Sequence, residues 1–275
     1  MRIKITTFCL FVIAILLSCK KEDLNHNTGS TTAPYIPVLT KVLIDNQSAS
    51  EFLYNDSSMI WQEKAKLGLT INHYNAKGQL ATSEYYGNDD VLSSDLSVSQ
   101  TAMTQTEWVT QASGKLIGIM TYDYNESGQL SKSTSTHPSF TCTEYSLFTY
   151  DANGRISKQS MYWDDVETGY IDYVYDSKGN LTSEILYGIP ASGDPVAINS
   201  TKYSFDGAPN PYRMNNKLQI PGINSNINNI VKETYTIYLT AALGSDNVTV
   251  TDYVYTYNTL GYPVSKNGNT TFVYE

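Results

Sequence analysis

Histidine and cysteine are scarce, at three residues each, and only 16% of the 275 residues are charged. His26, His73 and His137 are scattered, and none stands beside a plausible nucleophile. The chain contains no Gly-x-Ser-x-Gly, no His-Glu-x-x-His, no phosphate-binding glycine loop and no Cys-x-x-Cys. The sequence therefore points to no catalytic residue, no cofactor and no metal. Basic residues are also few, 18 against 27 acidic ones, which leaves a net charge of −9 and no electrostatic footprint for a phosphate backbone. Nucleic acid is excluded as a partner. Helical periodicity is nowhere sustained, and only Ser58 to Leu67 and Asn224 to Lys232 have room for short helices, the second in an Asn-rich stretch that reads better as an irregular loop.

Long apolar runs are missing too. The one notable run, Phe8 to Leu17, is about ten residues, too short for a permanent membrane helix. It follows Arg2 and Lys4 and ends at Ser18 and Cys19, the layout of a secretory signal. Residues 1–18 are read as that signal. Leu16-Leu17-Ser18-Cys19 resembles the bacterial lipobox, which implies that Cys19 is acylated and ties the protein to a membrane. Cys9 then leaves with the signal, and Cys142 remains without an intramolecular partner. Residues 19–38 are polar and read as a flexible tether. Its Lys20-Lys21-Glu22-Asp23 cluster resembles a surface-export signal of Bacteroidota lipoproteins; a periplasmic tether is the alternative.

What the chain does have is tyrosine: 23, against seven Phe and three Trp. Many fall in a repeat. Tyr74-Asn75-Ala76-Lys77-Gly78-Gln79-Leu80 recurs at Tyr124 to Leu130 with Asn125 and Gly128, at Tyr150 to Ile156 with Asp151 and Gly154, and at Tyr175 to Leu181 with Asp176 and Gly179. A fifth copy carries Asn258 and Gly261 but has Pro263 at the aliphatic place. Degraded copies are Tyr54-Asn55-Asp56, which has no glycine, and Gly114-Lys115-Leu116, which has no tyrosine. An Asn or Asp side chain that bonds the backbone two residues on, followed by a glycine able to take positive φ, makes a hairpin turn with a bulge. Strand-like runs precede the turns, and in Val248 to Tyr257 the valines share one face and the tyrosines the other. Residues 39–275 are thus expected to form one all-β domain. It would be an antiparallel hairpin meander of roughly ten to fourteen strands, curling into a barrel-like or half-barrel sheet to hide its edges.

Tyr-Asp/Asn-x-x-Gly-x-Leu resembles the YD repeat of RHS-type proteins over most of 54–275. Phe205 to Tyr212 and the ending from Tyr255 to Pro263 are similar to a group of Bacteroidota lipoproteins without assigned activity and with a porin-like β-barrel fold. The resemblance implies a lipid-anchored antiparallel sheet and carries over no catalytic residue. Lys132, Lys158, Glu184 and Lys266 in strand regions argue for a soluble domain over a membrane-spanning one.

The densest acidic and aromatic cluster is Tyr162-Trp163-Asp164-Asp165 with Glu167. It reads either as ligand contacts, for instance a calcium-assisted sugar site, or as a polar hairpin tip. The tyrosine-lined faces either bind glycans or peptides or stiffen the sheet. The stretch from Asn210 to Asn229, with seven asparagines, is the preferred ligand loop. The expected function is a non-catalytic outer-membrane lipoprotein module, on the cell surface or the periplasmic face, that binds a glycan or an envelope protein. The alternatives are a structural or assembly lipoprotein and a glycan-processing enzyme.

Overall fold

The computed structural model describes residues 37–65, 68–87, 115–138, 141–213, 220–239 and 244–275. The signal, Cys19 and nearly all of the tether lie outside the described residues, as does Gly114. The described chain is all-β. Its strands are β1 (Leu39–Ile44), β2 (Gln47–Tyr54), β3 (Ile60–Ala65), β4 (Gly68–Tyr74), β5 (Leu80–Gly87) and β6 (Leu116–Tyr124). They continue as β7 (Leu130–Thr136), β8 (Glu144–Tyr150), β9 (Ile156–Trp163), β10 (Val166–Tyr175), β11 (Leu181–Gly188) and β12 (Val196–Pro209). The last are β13 (Asn228–Ile237), β14 (Asn247–Asp252), β15 (Tyr255–Tyr257), β16 (Pro263–Lys266) and β17 (Thr270–Tyr274).

Neighbours in sequence pair antiparallel, and β1 pairs with both β2 and β17, so the two ends of the domain meet. The result is one 17-stranded sheet, not closed into a barrel. The interruption lies between β14 and β15, successive lengths of one chain segment. β13 pairs with β14 from Lys232 to Ile237, β16 pairs with β15 from Tyr255 to Tyr257, and no ladder joins β14 to β15. The strand number exceeds the fourteen expected, and the split accounts for one of the extra strands. Neither helical window is a helix: Ile60 to Ala65 is β3, and a single 3-10 turn at Ile223–Ser225 precedes β13. No helix among the described residues is long and apolar enough to cross a membrane.

The repeats explain the meander. In each complete copy the Asn or Asp side chain accepts backbone N–H groups across the turn, as Asn75 Oδ1 does from Lys77 at 2.9 Å and Gln79 at 3.0 Å. Asp151, Asp176 and Asn258 repeat both bonds, and Asn125 takes the second. The glycine three residues on has positive φ, 79° at Gly128, where an L side chain is strained. A bulge follows at the repeat tyrosine, for example between Asp123 and Tyr124. The aliphatic residue then enters the core: Leu80, Leu130, Ile156 and Leu181 are all at most 2% exposed. In the four complete copies the tyrosine reaches back to an earlier copy, whereas Tyr257 of the fifth donates to Asp206. The hydroxyls of Tyr74, Tyr124, Tyr150 and Tyr175 donate to the carbonyls of Ile60, Leu80, Leu130 and Ile156 at 2.6 to 2.8 Å. Tyr54 does the same to Leu39, and Tyr274 to Pro263, the residue that replaces the aliphatic one in the fifth copy.

One face of the sheet carries the core, with Leu80, Met120, Leu130, Phe148 and Tyr173 in its larger cluster and Leu39, Phe52, Ile60 and Phe272 in a second. In β14 and the residues after it, the tyrosines turn inward while Val248, Val250 and Val254 are 51 to 70% exposed. The inward tyrosines find acceptors there, Glu233 for Tyr253 and the Ile230 carbonyl for Tyr255, which valine could not use. Lys132 and Lys158 stand on the outer face, but Glu184 and Lys266 belong to the inner one. The register shows this, with Glu184 opposite the buried Tyr173 and Lys266 opposite Tyr255. Those two charges therefore say nothing about the outer surface.

Candidate functional site

The outer face of β7 to β11 gathers aromatic and basic side chains into two matching stacks. Tyr145 of β8 lies directly opposite Tyr162 of β9, and their rings stack at 4.8 Å with 6° between planes. The Lys132 ammonium from β7 covers the Tyr145 ring, 4.1 Å from its centroid. One step across the sheet the pattern recurs: Tyr170 of β10 stacks on Tyr187 of β11 at 4.8 Å, and Lys158 lies 3.5 Å over the Tyr170 ring. A bulge between Glu167 and Gly169 sets Tyr170 opposite Ser160, which places all four tyrosines on the same face. Each lysine caps a ring by a cation–π contact, worth about 0.5 to 1 kcal/mol at an exposed site.

The acidic tip holds the first stack in place. Asp164 and Asp165 both have positive φ, 46° and 64°, and form the two-residue turn between Trp163 and Val166. Asp164 Oδ1 accepts the Thr143 N–H at 2.8 Å, and the Asp164 N–H donates to the Thr143 carbonyl at 2.9 Å. The Tyr145 hydroxyl donates to Asp165 Oδ1 at 3.1 Å. Partial burial, and then that bond to a carboxylate, hold the Tyr145 hydroxyl above the usual tyrosine range. Partial burial and then the charge of Asp172 do the same for Tyr170. Both remain neutral donors at physiological pH. Trp163 is 45% exposed at the end of β9. No group of three or more metal-ligating side chains occurs among the described residues.

The sequence cluster thus contributes Tyr162 to a stack, Trp163 to the exposed tip, and Asp164 and Asp165 to the turn that positions Tyr145. Sequence reasoning missed Tyr145, Tyr170, Tyr187, Lys132 and Lys158. Their distance from the cluster along the chain hid them; the signal was the bulge after each repeat turn, which sets the register and so decides which tyrosines face each other. Chemically, the rings in each stack present hydroxyls and edges. Among the described residues, the face of Tyr162 toward β10 and the face of Tyr187 toward β12 carry no stacked ring.

The asparagine-rich stretch is largely internal structure. Asn210, Asn224, Asn226, Asn228 and Asn229 are buried, while 214–219 lie outside the described residues. Asn226 Oδ1 accepts the Leu181 N–H at 2.7 Å, and Asn180 Oδ1 accepts those of Ile227 and Asn228 at 2.8 and 3.0 Å. These amides take up backbone N–H groups at the starts of β11 and β13.

No family model and no curated protein matches the sequence. Among solved structures, a porin-like protein from Bacteroides vulgatus is 12% identical with a TM-score of 0.37, covering 86% of this chain and 99% of that one. A porin-like protein from Bacteroides uniformis is 13% identical with a TM-score of 0.39, covering 86% and 96%. The TcdB2–TccC3 structure is 12% identical with a TM-score of 0.21, and covers 82% of this chain but 14% of that one.

Proposed function

We propose that the chain is a cell-envelope lipoprotein, anchored at Cys19 in the outer membrane, whose sheet is a non-catalytic module that binds a glycan. The YD-type repeat is its scaffold. The observation that carries this reading is the pair of lysine-capped tyrosine stacks on the outer face. Their hydroxyls suit a ligand rich in hydroxyl groups, and the unstacked faces of Tyr162 and Tyr187 suit the apolar face of a sugar ring. Asp123 and Asp172 stand directly opposite Lys132 and Lys158, and Asp165 and Glu167 adjoin the first stack, so the face carries no net positive charge and suits a neutral glycan. A glycan array, followed by calorimetry on any hit, tests it. Tyr162→Ala and Tyr187→Ala should each weaken binding at least tenfold, and Tyr124→Phe should not.

One observation favours a second reading, a structural or assembly lipoprotein. Most of the ring faces in the stacks are already filled, by a neighbouring ring or by a lysine, and such cross-strand pairs stabilise sheets by about 0.2 to 1 kcal/mol each. If no glycan binds and Tyr162→Ala lowers the melting temperature, this reading replaces the first.

A further inference from the structure

The interruption between β14 and β15 opens a recess on the inner face, opposite the tyrosine stacks. It is shallow, open to solvent and lined by both charged and aromatic groups. Glu233 enters from β13 and Lys266 from β16. Tyr253, on the segment between them, contacts both: its hydroxyl donates to Glu233 Oε2 at 3.3 Å, and its ring lies 4.7 Å from Lys266 Nζ. Neither charge forms an ion pair within 4.0 Å among the described residues. Tyr212, set edge-on to Phe272 at 5.9 Å, and Tyr255 supply an apolar wall.

Two opposite charges share one partly buried recess, and Tyr253, which gives Glu233 one hydroxyl and Lys266 one ring face, stands between them, so both keep hydrogen-bonding capacity for a ligand. Burial lowers the Lys266 ammonium below its usual range, and the field of Glu233 only partly restores it. A neutral sugar would leave both charges unmatched, and an anionic sugar would set its own charge against Glu233. A ligand that satisfies both groups carries a carboxylate and an ammonium on one small apolar body. We propose that this recess binds a free α-amino acid, its carboxylate on Lys266, its ammonium on Glu233 and its side chain against Tyr212, Tyr255 and Phe272. The site is separate from the outer-face stacks and does not rest on the glycan reading.

Three matched probes test it on the full chain by titration calorimetry: L-valine, 3-methylbutanoate, which lacks the ammonium, and isobutylamine, which lacks the carboxylate. Valine should bind at least tenfold more tightly than either analogue. Lys266→Met and Glu233→Gln should each weaken valine binding at least tenfold, and Tyr162→Ala should leave it unchanged. Equal binding of valine and 3-methylbutanoate would reduce the site to a plain anion site and overturn the proposal. So would undetectable valine binding to the wild-type chain, or displacement of valine by glucose. The comparison of probes on the wild-type chain decides the matter even if a variant does not fold.

Discussion

The hydroxyl of Tyr124 donates a 2.8 Å hydrogen bond to the carbonyl of Leu80, 44 residues earlier in the chain. Tyr124 opens one repeat and Leu80 closes the one before it. Seen this way, the repeat unit runs from one core aliphatic residue to the tyrosine that bonds it. The turn places the aliphatic residue in the core; the next tyrosine then closes over its carbonyl. Across the bulge the ladder alone cannot fix how neighbouring hairpins sit, and the hydroxyl supplies that constraint.

Tyr124→Phe removes the hydroxyl and keeps the ring. The Leu80 carbonyl loses its side-chain donor, at an expected cost of about 1 kcal/mol. In a domain of this size that lowers the melting temperature by about 2 to 4 °C. Calorimetric melts of Tyr124→Phe and Tyr150→Phe should show the same drop, because Tyr150 makes the same bond to Leu130. A melt unchanged in both would remove the hydroxyl from the account of stability.

Ser58 occupies the glycine position of the degraded copy at Tyr54, with φ of 56°. A serine held in the left-handed region is strained, whereas glycine is not. Ser58→Gly should stabilise the domain by about 0.5 to 1 kcal/mol, after allowance for the greater freedom of glycine in the unfolded chain. Gly128→Ala, at φ 79°, should move stability the other way by about 1 to 2 kcal/mol. Urea unfolding of the two variants gives the signs directly.

Much of this arrangement is legible in the sequence, because the repeat turn is local chemistry. Asn125 and Gly128 mark a turn from their side-chain and backbone chemistry, and the run from Ile119 to Tyr124 ahead of it reads as a strand. The partner of the Tyr124 hydroxyl is not legible, since it depends on how two hairpins lie side by side. The same holds for the site. Tyr162 and Trp163 stand out as an aromatic and acidic cluster, but Tyr145 and Tyr187 join them only through register. For Lys266 and Glu233 the obstacle is different: each reads as an ordinary exposed strand charge until the strand change at Tyr253 turns them toward one recess.

The anchor has its own test. If Cys19 carries acyl chains, Cys19→Ala should stop incorporation of labelled palmitate and release the protein from the membrane fraction. Several chains at about 0.8 kcal/mol per buried methylene are needed for a stable hold. Incorporation that persists in the variant would refute the assignment. Protease treatment of intact cells separates the two faces of the outer membrane, since only a surface-exposed domain is cut.

Glu63 gives the domain a pH dependence of unusual sign. It lies on β3 between Phe52 and Thr70, 5% exposed, and burial raises its carboxyl to about 8. Its unfolded value is near 4.5, so between those two limits the folded state binds more protons than the unfolded one. Stability from the protonated form is complete below about pH 4.5 and is lost as the pH rises through 8. Most carboxylates, depressed by partners as Asp151 is by the Arg155 backbone N–H and side chain, act in the opposite direction. Comparing Glu63→Gln with the wild-type chain isolates the one group. Urea unfolding at pH 5, 6.5 and 8 should show the wild type losing stability relative to the variant as pH rises, by up to about 1.4 kcal/mol per pH unit. Parallel curves would mean that Glu63 titrates in the ordinary carboxylate range and that its burial is relieved in solution.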